Sequence, residues 1–342
     1  MYEQELAATA KAMVAPGKGI LAADESYSTA NKRFEKLGIP TTEEMRRAYR
    51  EMLFTAPGIG DFLSGVILFD ETIRQSTKDG TPFPKILLDA GIIPGIKLDA
   101  GAKPLAKAPG ETVTEGLDGL RDRIAEYYKM GARFAKWRAV IAIGDSIPSN
   151  SCIKTNAHAL ARYAALCQAG GLTPIVEPEV LMDGDHTLEH SYDVHHEVLK
   201  AVFDELYIQG VEPDQMILKP SMVIPGEKNP QQASIEDVAR WTVKCLRARV
   251  PAAVPGCAFL SGGQSDELAT AHLNAMNSLF KDQLPWQLTF SYGRALQQAA
   301  MQTWNGEDAN VSAAQKELYH RAKLNSAASL GQYQPAMEPV TM

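Results

Sequence analysis

The order of apolar segments is the feature that most constrains the fold of this chain. Short runs rich in aliphatic or β-branched residues recur at intervals of roughly 25 to 45 residues, and a helical pattern follows most of them. The eight runs span residues 19–23, 65–69, 92–98, 133–140, 173–180, 216–222, 257–261 and 287–291. Alternation of strand and helix predicts a parallel sheet, because parallel strands need crossover connections.

Helix start and stop signals support this alternation. Residues 41–44 form a capping box that opens a helix predicted through Phe54, and residues 234–237 open another through Leu246. Glycines end two further predicted helices, over residues 156–168 and 192–209. Because no Gly-, Ser- or Pro-rich linker divides the chain, we expect one domain over residues 1–342, with a flexible tail at about 326–342.

Two sheet architectures share this alternation, the closed (β/α)8 TIM barrel and the open doubly wound sheet. A barrel takes functional side chains from the carboxyl ends of many strands around one mouth, whereas an open sheet concentrates them at one crevice. Charged or polar residues stand at the carboxyl end of nearly every run in this chain. The pattern therefore favours the (β/α)8 barrel.

Composition restricts the class of function. The hydrophobic content of 45% and the absence of a long apolar stretch are typical of a soluble globular protein, and the net charge of -7 argues against general nucleic-acid binding. The net charge does not exclude a small anionic substrate, which a local basic pocket could bind. The four scattered cysteines predict reduced thiols and a cytoplasmic location, although an organellar form whose leader has been removed stays an alternative.

Lys219 is the most informative charged residue, because it interrupts an apolar run that otherwise predicts a buried strand. A buried ammonium either pairs with a carboxylate or loses its proton and becomes a nucleophile that can attack a carbonyl. The alternative is a side chain that extends its charge to solvent from a sheet edge. Lys97 and Lys136 occupy comparable positions, so the residues alone do not distinguish the three lysines.

Two pairs of charges lie on neighbouring runs. Lys136 and Arg138 are two residues apart, as are Glu177 and Glu179, and this spacing puts each pair on one face of its strand. One interpretation is a layer of salt bridges that fills the barrel interior. The other is a pocket in which cations outnumber acids and attract a substrate anion such as phosphate.

Two glycine-containing loops predict an anion site. Residues 261–265 read Ser-Gly-Gly-Gln-Ser and residues 291–294 read Ser-Tyr-Gly-Arg, and each precedes a helical pattern. Glycine amides and a helix amino terminus can face an anion, and the last two βα loops of a barrel often bind phosphate. A Ser-Gly-Gly sequence is by itself more often only a flexible turn.

A cluster of histidines and acids after the fifth run raises the alternative of a metal site. Its members are Asp183, Asp185, His186, His190, His195 and His196. Because part of this cluster also fits an exposed helix start, we expect no catalytic metal and no cofactor.

Taken together, these motifs resemble those of the class I fructose-bisphosphate aldolases from about Leu6 to about Arg321. The matching stretches are residues 17–26, 95–99, 134–138, 175–179, 218–220, 259–265 and 291–296. The resemblance implies a barrel, usually a homotetramer, that reversibly cleaves fructose 1,6-bisphosphate to glycerone phosphate and glyceraldehyde 3-phosphate without a metal. A different Schiff-base barrel enzyme acting on phosphorylated sugars, such as a transaldolase-like enzyme, is the alternative.

The resemblance also implies residue roles. Lys219 would form the Schiff base, Lys136 would help to keep it neutral, and Glu177 would relay protons. Asp24 would take the proton of the C4 hydroxyl, and Glu179 would orient both lysines. The implied phosphate-binding residues are Ser261, Gly262, Gly263, Ser291, Gly293 and Arg294 at one end, and Ser26, Arg33, Lys97 and Arg138 at the other.

The chain departs from the family pattern at two places. Many members end in a tyrosine that assists proton transfer, whereas this chain ends in Met342 and its nearest tyrosine is Tyr333. The preference among fructose 1,6-bisphosphate, fructose 1-phosphate and sedoheptulose 1,7-bisphosphate is therefore left open. Ala100 stands where many relatives carry lysine, and we expect a small effect from that change.

Overall fold

Eight parallel strands close into a barrel, which confirms the predicted (β/α)8 fold. The computed structural model describes residues 2–339. In chain order the strands are β1 (Gly19–Ala22), β2 (Leu63–Leu68), β3 (Ile93–Lys97), β4 (Ala102–Pro104), β5 (Thr112–Thr114), β6 (Phe134–Ile141), β7 (Thr173–Val180), β8 (Ile217–Leu218), β9 (Gly256–Phe259) and β10 (Gln287–Tyr292). The barrel follows the order β1-β2-β3-β6-β7-β8-β9-β10, and β10 pairs with β1; β4 and β5 form a separate antiparallel hairpin.

Helices cover the outside of the barrel. They are α1 (Glu3–Met13), α2 (Tyr27–Glu35), α3 (Glu43–Phe54), α4 (Asp70–Ile73), α5 (Phe83–Asp89), α6 (Leu120–Lys129), α7 (Asn150–Ala169), α8 (Leu188–Ile208), α9 (Ile235–Arg249), α10 (Asp266–Phe280), α11 (Arg294–Trp304) and α12 (Val311–Ser329). Within residues 2–339, no helix combines the length and the apolar character needed to span a bilayer.

The capping residues explain where the predicted helix boundaries hold and where they fail. Ser234 accepts a backbone hydrogen bond from the first turn of α9, as predicted. In α3 the capping residue is Thr42, one residue after the first position of the predicted box. The two helices predicted from glycine stops begin earlier than expected. Ser149 caps α7 and Thr187 caps α8, so hydroxyl caps that the periodicity did not reveal set these starts.

The strand that leads to Lys219 is shorter than its apolar run. The prediction covers residues 216–222, whereas β8 ends at Leu218. Pro220 has no N–H group to donate to a ladder, and the hydroxyl of Ser221 accepts the N–H of Val180 at 3.0 Å instead. Side-chain hydrogen bonding therefore replaces the ladder just beyond the lysine.

Apolar side chains fill the barrel interior below the mouth. Phe134 lies in a buried cluster with Ile20, Ile67, Ile175 and Ile217, and residues of α1 pack against this cluster. Gly95 gives Phe134 its room, because a Cβ at that position would lie 2.2 Å from the ring. The interior is thus a packed core, and only the carboxyl ends of the strands face an open space.

The C-terminal segment differs from the expectation of a tail that begins at residue 326. Helix α12 continues through Ser329, and the side-chain amide of Asn277 donates to the carbonyl of Ala328 at 3.2 Å. Beyond the helix, Tyr333 is buried and Glu338 pairs with Arg321 at 2.6 Å. The boundary of the expected tail was therefore wrong for the helical residues. Residues 340–342 lie outside the described part of the chain.

Candidate active site

The carboxyl ends of the barrel strands surround a cavity of about 920 Å³. All fifteen residues that the sequence predicts for the site line it. They are Asp24, Ser26, Arg33, Lys97, Lys136, Arg138, Glu177, Glu179, Lys219, Ser261, Gly262, Gly263, Ser291, Gly293 and Arg294. These fifteen residues come from seven of the eight barrel strands and their loops, and Phe69, directly after β2, lines the cavity from the eighth. All meet at one mouth, as in other barrels of this architecture.

Two buried lysines share one carboxylate at the base of the cavity. Nζ of Lys219 lies 3.2 Å from one oxygen of Glu177, and Nζ of Lys136 lies 3.4 Å from the other. Lys136 also lies 2.7 Å from Asp24. Each lysine is only 4% exposed. Glu177 therefore lies within ion-pair distance of both amines, and Asp24 lies within ion-pair distance of Lys136.

The charges of this network reinforce one another. Burial alone raises the pKa of Asp24, but the nearby ammonium groups of Lys136 and Lys219 outweigh it and lower the pKa to about 2. Burial lowers the pKa of Lys136, yet the carboxylates of Asp24 and Glu177 reverse that effect and hold its pKa well above the ordinary value. At neutral pH Asp24 is a carboxylate and Lys136 is an ammonium.

Glu179 does not have the neighbours expected of it. The family pattern implied that Glu179 orients Lys219 and Lys136. In the described chain, however, the Glu179 carboxylate forms a salt bridge with Arg138 instead. The reason is position along the strands. Glu179 and Arg138 each lie two residues beyond Glu177 and Lys136, so they meet one layer nearer the mouth.

The expected excess of cations over acids is absent. Among the described residues, seven cationic and seven acidic side chains line the cavity. Most of the cations have carboxylate partners, so the salt-bridge interpretation is right for the base of the barrel. Arg294 and Lys103, however, form no salt bridge with any residue of 2–339, and they supply local positive charge instead.

The loop after β9 is shaped to present backbone amides. The N–H of Gln264 donates to the carbonyl of Ser261 at 3.1 Å, which closes a tight turn around Gly262 and Gly263. Both glycines have positive φ, 59° and 94°, which other residues rarely adopt. A Cβ on Gly263 would lie 3.3 Å from Nη2 of Arg294, so the turn borders that guanidinium.

The loop after β10 completes this end of the cavity. Gly293 precedes α11 and has no side chain to cap it, which leaves the first amides of the helix available to an anion. The hydroxyl of Ser291 is buried, and no group within residues 2–339 forms a hydrogen bond with it. This unpaired buried hydroxyl and the guanidinium of Arg294 line the same cavity, and such a pair fits a phosphate.

The opposite end of the cavity is already occupied by internal pairs. Arg33 lies 2.6 Å from Glu25, and Lys97 forms a salt bridge with Asp99 and donates to its backbone carbonyl at 2.7 Å. Ser26 contributes a hydroxyl there, 3.2 Å from that of Thr29. An anion that binds at this end must therefore share these cations with their carboxylate partners.

Several lining residues were missed by the sequence prediction of the site. Glu25 follows Asp24 directly and Asp99 lies two residues after Lys97, so their place at the end of a strand could have identified them. Ser28 and Lys103 also line the cavity. Lys103 belongs to the β4–β5 hairpin, whose only sequence signal is the short β-branched stretch at residues 112–114.

The histidine cluster is separated by the fold. Asp183 lines the cavity, whereas His186 is a buried loop residue and His195 points into the packing of α8 against the barrel. Between residues 2 and 339, no three side chains of His, Cys, Asp or Glu come together as a metal site.

The fold and the site define a class: a (β/α)8 barrel enzyme with a buried, carboxylate-paired lysine and a cavity suited to an anionic substrate. The comparisons with known proteins give the family. The family model "Fructose-bisphosphate aldolase class-I" matches residues 5–341, and this chain belongs to that family. The resemblance seen in the sequence is thereby confirmed.

Individual relatives match along almost their whole length. A probable fructose-bisphosphate aldolase class 1 from Xanthomonas campestris pv. campestris is 61% identical over 97% of this chain and 99% of the relative. The cytosolic fructose-bisphosphate aldolase 5 of Arabidopsis thaliana is 54% identical over 97% of this chain and 92% of its own length. The solved structure of fructose-bisphosphate aldolase from Plasmodium falciparum is 47% identical, with a TM-score of 0.95 over 97% of this chain and 95% of that one.

Proposed function

We propose that Lys219 is the amine that forms the Schiff base when this class I aldolase cleaves fructose 1,6-bisphosphate. The observation that carries the proposal is the buried network in which Glu177 lies between Lys219 and the permanently cationic Lys136. Among residues 2–339, Lys219 forms an ion pair with one carboxylate, which it shares, whereas Lys136 has two such partners and Lys97 pairs with Asp99. Within the described chain, Lys219 is thus the candidate lysine without an ion-pair carboxylate of its own.

Formation of the Schiff base requires a neutral amine and a proton relay. Glu177 accepts a proton from Lys219, whose nitrogen then attacks the C2 carbonyl of the open-chain sugar and gives a carbinolamine. Protonated Glu177 returns a proton to the C2 hydroxyl, which leaves as water, and the iminium remains. Lys136 keeps its proton throughout, because the carboxylates of Asp24 and Glu177 hold its pKa well above the ordinary value.

Bond cleavage follows from the position of Asp24. Its carboxylate takes the proton of the C4 hydroxyl, the C3–C4 bond breaks, and the electron pair moves into the iminium to give an enamine while glyceraldehyde 3-phosphate leaves. Protonation of the enamine at C3 and addition of water at C2 release glycerone phosphate and restore Lys219. The iminium itself is the electron acceptor, so no step needs a metal ion or another cofactor.

The two ends of the cavity hold the two phosphates with different strength. The C1 phosphate lies at the amides of Gly262 and Gly263 with Arg294, where neither the cation nor the Ser291 hydroxyl has a partner to displace within residues 2–339. The C6 phosphate lies near Ser26 and Lys97, whose end of the cavity carries ion pairs. Because Arg33 and Arg138 at that end are also paired, we expect the C1 phosphate to contribute more binding energy.

We also infer that the chain works as one barrel domain, in a homotetramer located in the cytoplasm. Tyr207 and Ile208 support an oligomer, since these adjacent side chains at the end of α8 are 86% and 68% exposed. Four unpaired, buried cysteines and the cytosolic Arabidopsis thaliana relative support the location. Light scattering of the purified protein and cell fractionation test these two points.

The central proposal is tested by activity and covalent trapping. Cleavage of fructose 1,6-bisphosphate is measured in EDTA, and borohydride is then added with substrate present so that peptide mass mapping locates the reduced adduct. We expect full activity and an adduct on Lys219. Lys219→Met should abolish both, and this variant also tests whether Lys136, the second buried amine, substitutes for Lys219. An adduct on Lys97 or Lys136 in the unmodified protein would refute the assignment.

A further inference from the structure

The backbone that carries Lys219 receives little support from strand pairing. Strand β8 comprises only Ile217 and Leu218, and the lysine follows it with one ladder-like bond, from its N–H to the carbonyl of Val176 at 2.8 Å. Pro220 cannot donate a hydrogen bond to β7. A nucleophile on such a short strand needs another source of rigidity.

The hydroxyl of Ser221 provides the missing link to β7. It accepts the N–H of Val180 at 3.0 Å, which ties the residue after Pro220 to the residue after Glu179. On the other side, the N–H of Leu260 donates to the carbonyl of Pro220 at 3.2 Å. The segment is therefore held from β7 by a side chain and from the end of β9 by the backbone.

His195 fixes the direction of that hydroxyl. Nε2 of His195 lies 2.9 Å from Oγ of Ser221, and Nδ1 lies 2.7 Å from the carbonyl oxygen of Ser191. Because a carbonyl only accepts, Nδ1 carries the proton and Nε2 accepts the hydroxyl proton of Ser221. The lone pair of Ser221 then faces the N–H of Val180. The donors therefore follow one direction, from Val180 to Ser221, from Ser221 to His195 and from His195 to Ser191.

Burial makes this arrangement specific. His195 and Ser221 are 4% and 6% exposed, and neither lines the cavity. Loss of one partner leaves a buried polar atom without a hydrogen bond, and water has little access to replace it. A shift of the Ser221 backbone would move Lys219, two residues away, relative to Glu177.

We propose that His195 and Ser221 are positioning residues that hold Lys219 against Glu177 by joining α8 to the carboxyl ends of β7 and β8. The inference rests on the proposed role of Lys219. It also gives the histidine on α8 a function that involves no metal. Neither residue touches substrate, so their effect appears in the rate of covalent chemistry and not in substrate binding.

The test is single-turnover borohydride trapping with glycerone phosphate, combined with steady-state cleavage of fructose 1,6-bisphosphate. Ser221→Ala and His195→Leu should each lower the trapping rate and kcat by roughly 10- to 100-fold with KM almost unchanged, because misplacement of a reacting group by about 1 Å has effects of this size. Ser221→Thr and His195→Gln keep the hydroxyl and an acceptor at the Nε2 position, and they should retain most of the rate.

Thr173→Val is the matched control. Its hydroxyl is also buried and donates to the carbonyl of Leu6 at 3.1 Å, but at the opposite end of the same strand β7. This variant should lose stability without slower trapping. Wild-type trapping rates in both Ser221→Ala and His195→Leu, or an equal loss in Thr173→Val, would overturn the inference. Failure of the proposed function looks different, since the wild-type adduct would then map to another lysine.

Discussion

Nδ1 of His272 lies 2.6 Å from Oε1 of Gln264, and this contact orients the loop that borders Arg294. The amide nitrogen of the same glutamine donates to the carbonyl of Ser261 at 2.9 Å, across the turn formed by the two glycines. Burial lowers the pKa of His272 to about 4, so the ring is neutral and donates through Nδ1. The glutamine is thereby held in one amide orientation.

The first prediction concerns substrate affinity at this loop. His272→Leu removes the donor and should raise KM for fructose 1,6-bisphosphate by about 10-fold, as expected for one lost hydrogen bond in a buried chain. His272→Asn places an amide N–H near the Nδ1 position and should restore most of the affinity. Steady-state kinetics and competitive inhibition by inorganic phosphate measure the effect. Equal KM values in the leucine and asparagine variants would contradict the proposed orientation.

The positions of the site residues could be predicted from sequence because they depend on strand order. Lys136 and Arg138 share a strand face, as do Glu177 and Glu179, and closed parallel strands bring such faces to one mouth. The apolar run around Lys219 likewise identifies a buried amine. Strand periodicity and the family motifs are sufficient for this level of description.

The pairing of charges could not be predicted in the same way. Glu179 meets Arg138 across 41 positions in the sequence, and Lys136 meets Asp24, because barrel tilt sets the height of each side chain. Spacing along one strand contains no information about that height. The role of Ser221 could not be predicted either, because it depends on the break in strand pairing that Pro220 causes.

The second prediction separates adduct formation from bond cleavage. Asp24→Asn removes the base proposed for the C4 hydroxyl but leaves Lys219 and Glu177 in place. Borohydride should still trap glycerone phosphate on Lys219, whereas cleavage of fructose 1,6-bisphosphate should slow by roughly 10²- to 10⁴-fold, the usual contribution of a general base. Asp122→Asn, at an exposed site on α6, is the matched control. Loss of trapping in Asp24→Asn would assign this carboxylate to Schiff-base formation instead.

The third prediction concerns stability at acid pH. Burial, with a smaller contribution from His186, lowers the pKa of His195 from 6.5 to about 4. Between these values the unfolded chain binds a proton that the folded chain does not, so stability should fall as pH decreases from about 6.5 to about 4, by on the order of 3 kcal/mol from this residue. Urea unfolding across this range should show a shallower decrease for His195→Gln than for wild type. Parallel curves would show that His195 titrates normally in the folded protein.

The fourth prediction concerns the segment after α12. Arg321 is buried, donates to both oxygens of Glu338 at 2.8 and 2.6 Å, and also donates to the carbonyl of Asp266 at the start of α10. Tyr333 donates to the same carboxylate at 3.0 Å. Glu338 therefore fastens the end of the described chain to two helices.

Removal of this carboxylate should cost stability and leave the chemistry intact. Glu338→Ala leaves the buried guanidinium of Arg321 with fewer acceptors, and we expect a loss of about 2 kcal/mol in the free energy of unfolding. Glu338→Gln should lose less, because an amide oxygen still accepts from Arg321. Glu307→Ala, at an exposed site before α12, controls for the loss of a surface charge. Since Glu338 does not line the cavity, kcat and KM should match those of wild type, and a reduced kcat in a fully folded Glu338→Ala would instead show that this segment takes part in turnover.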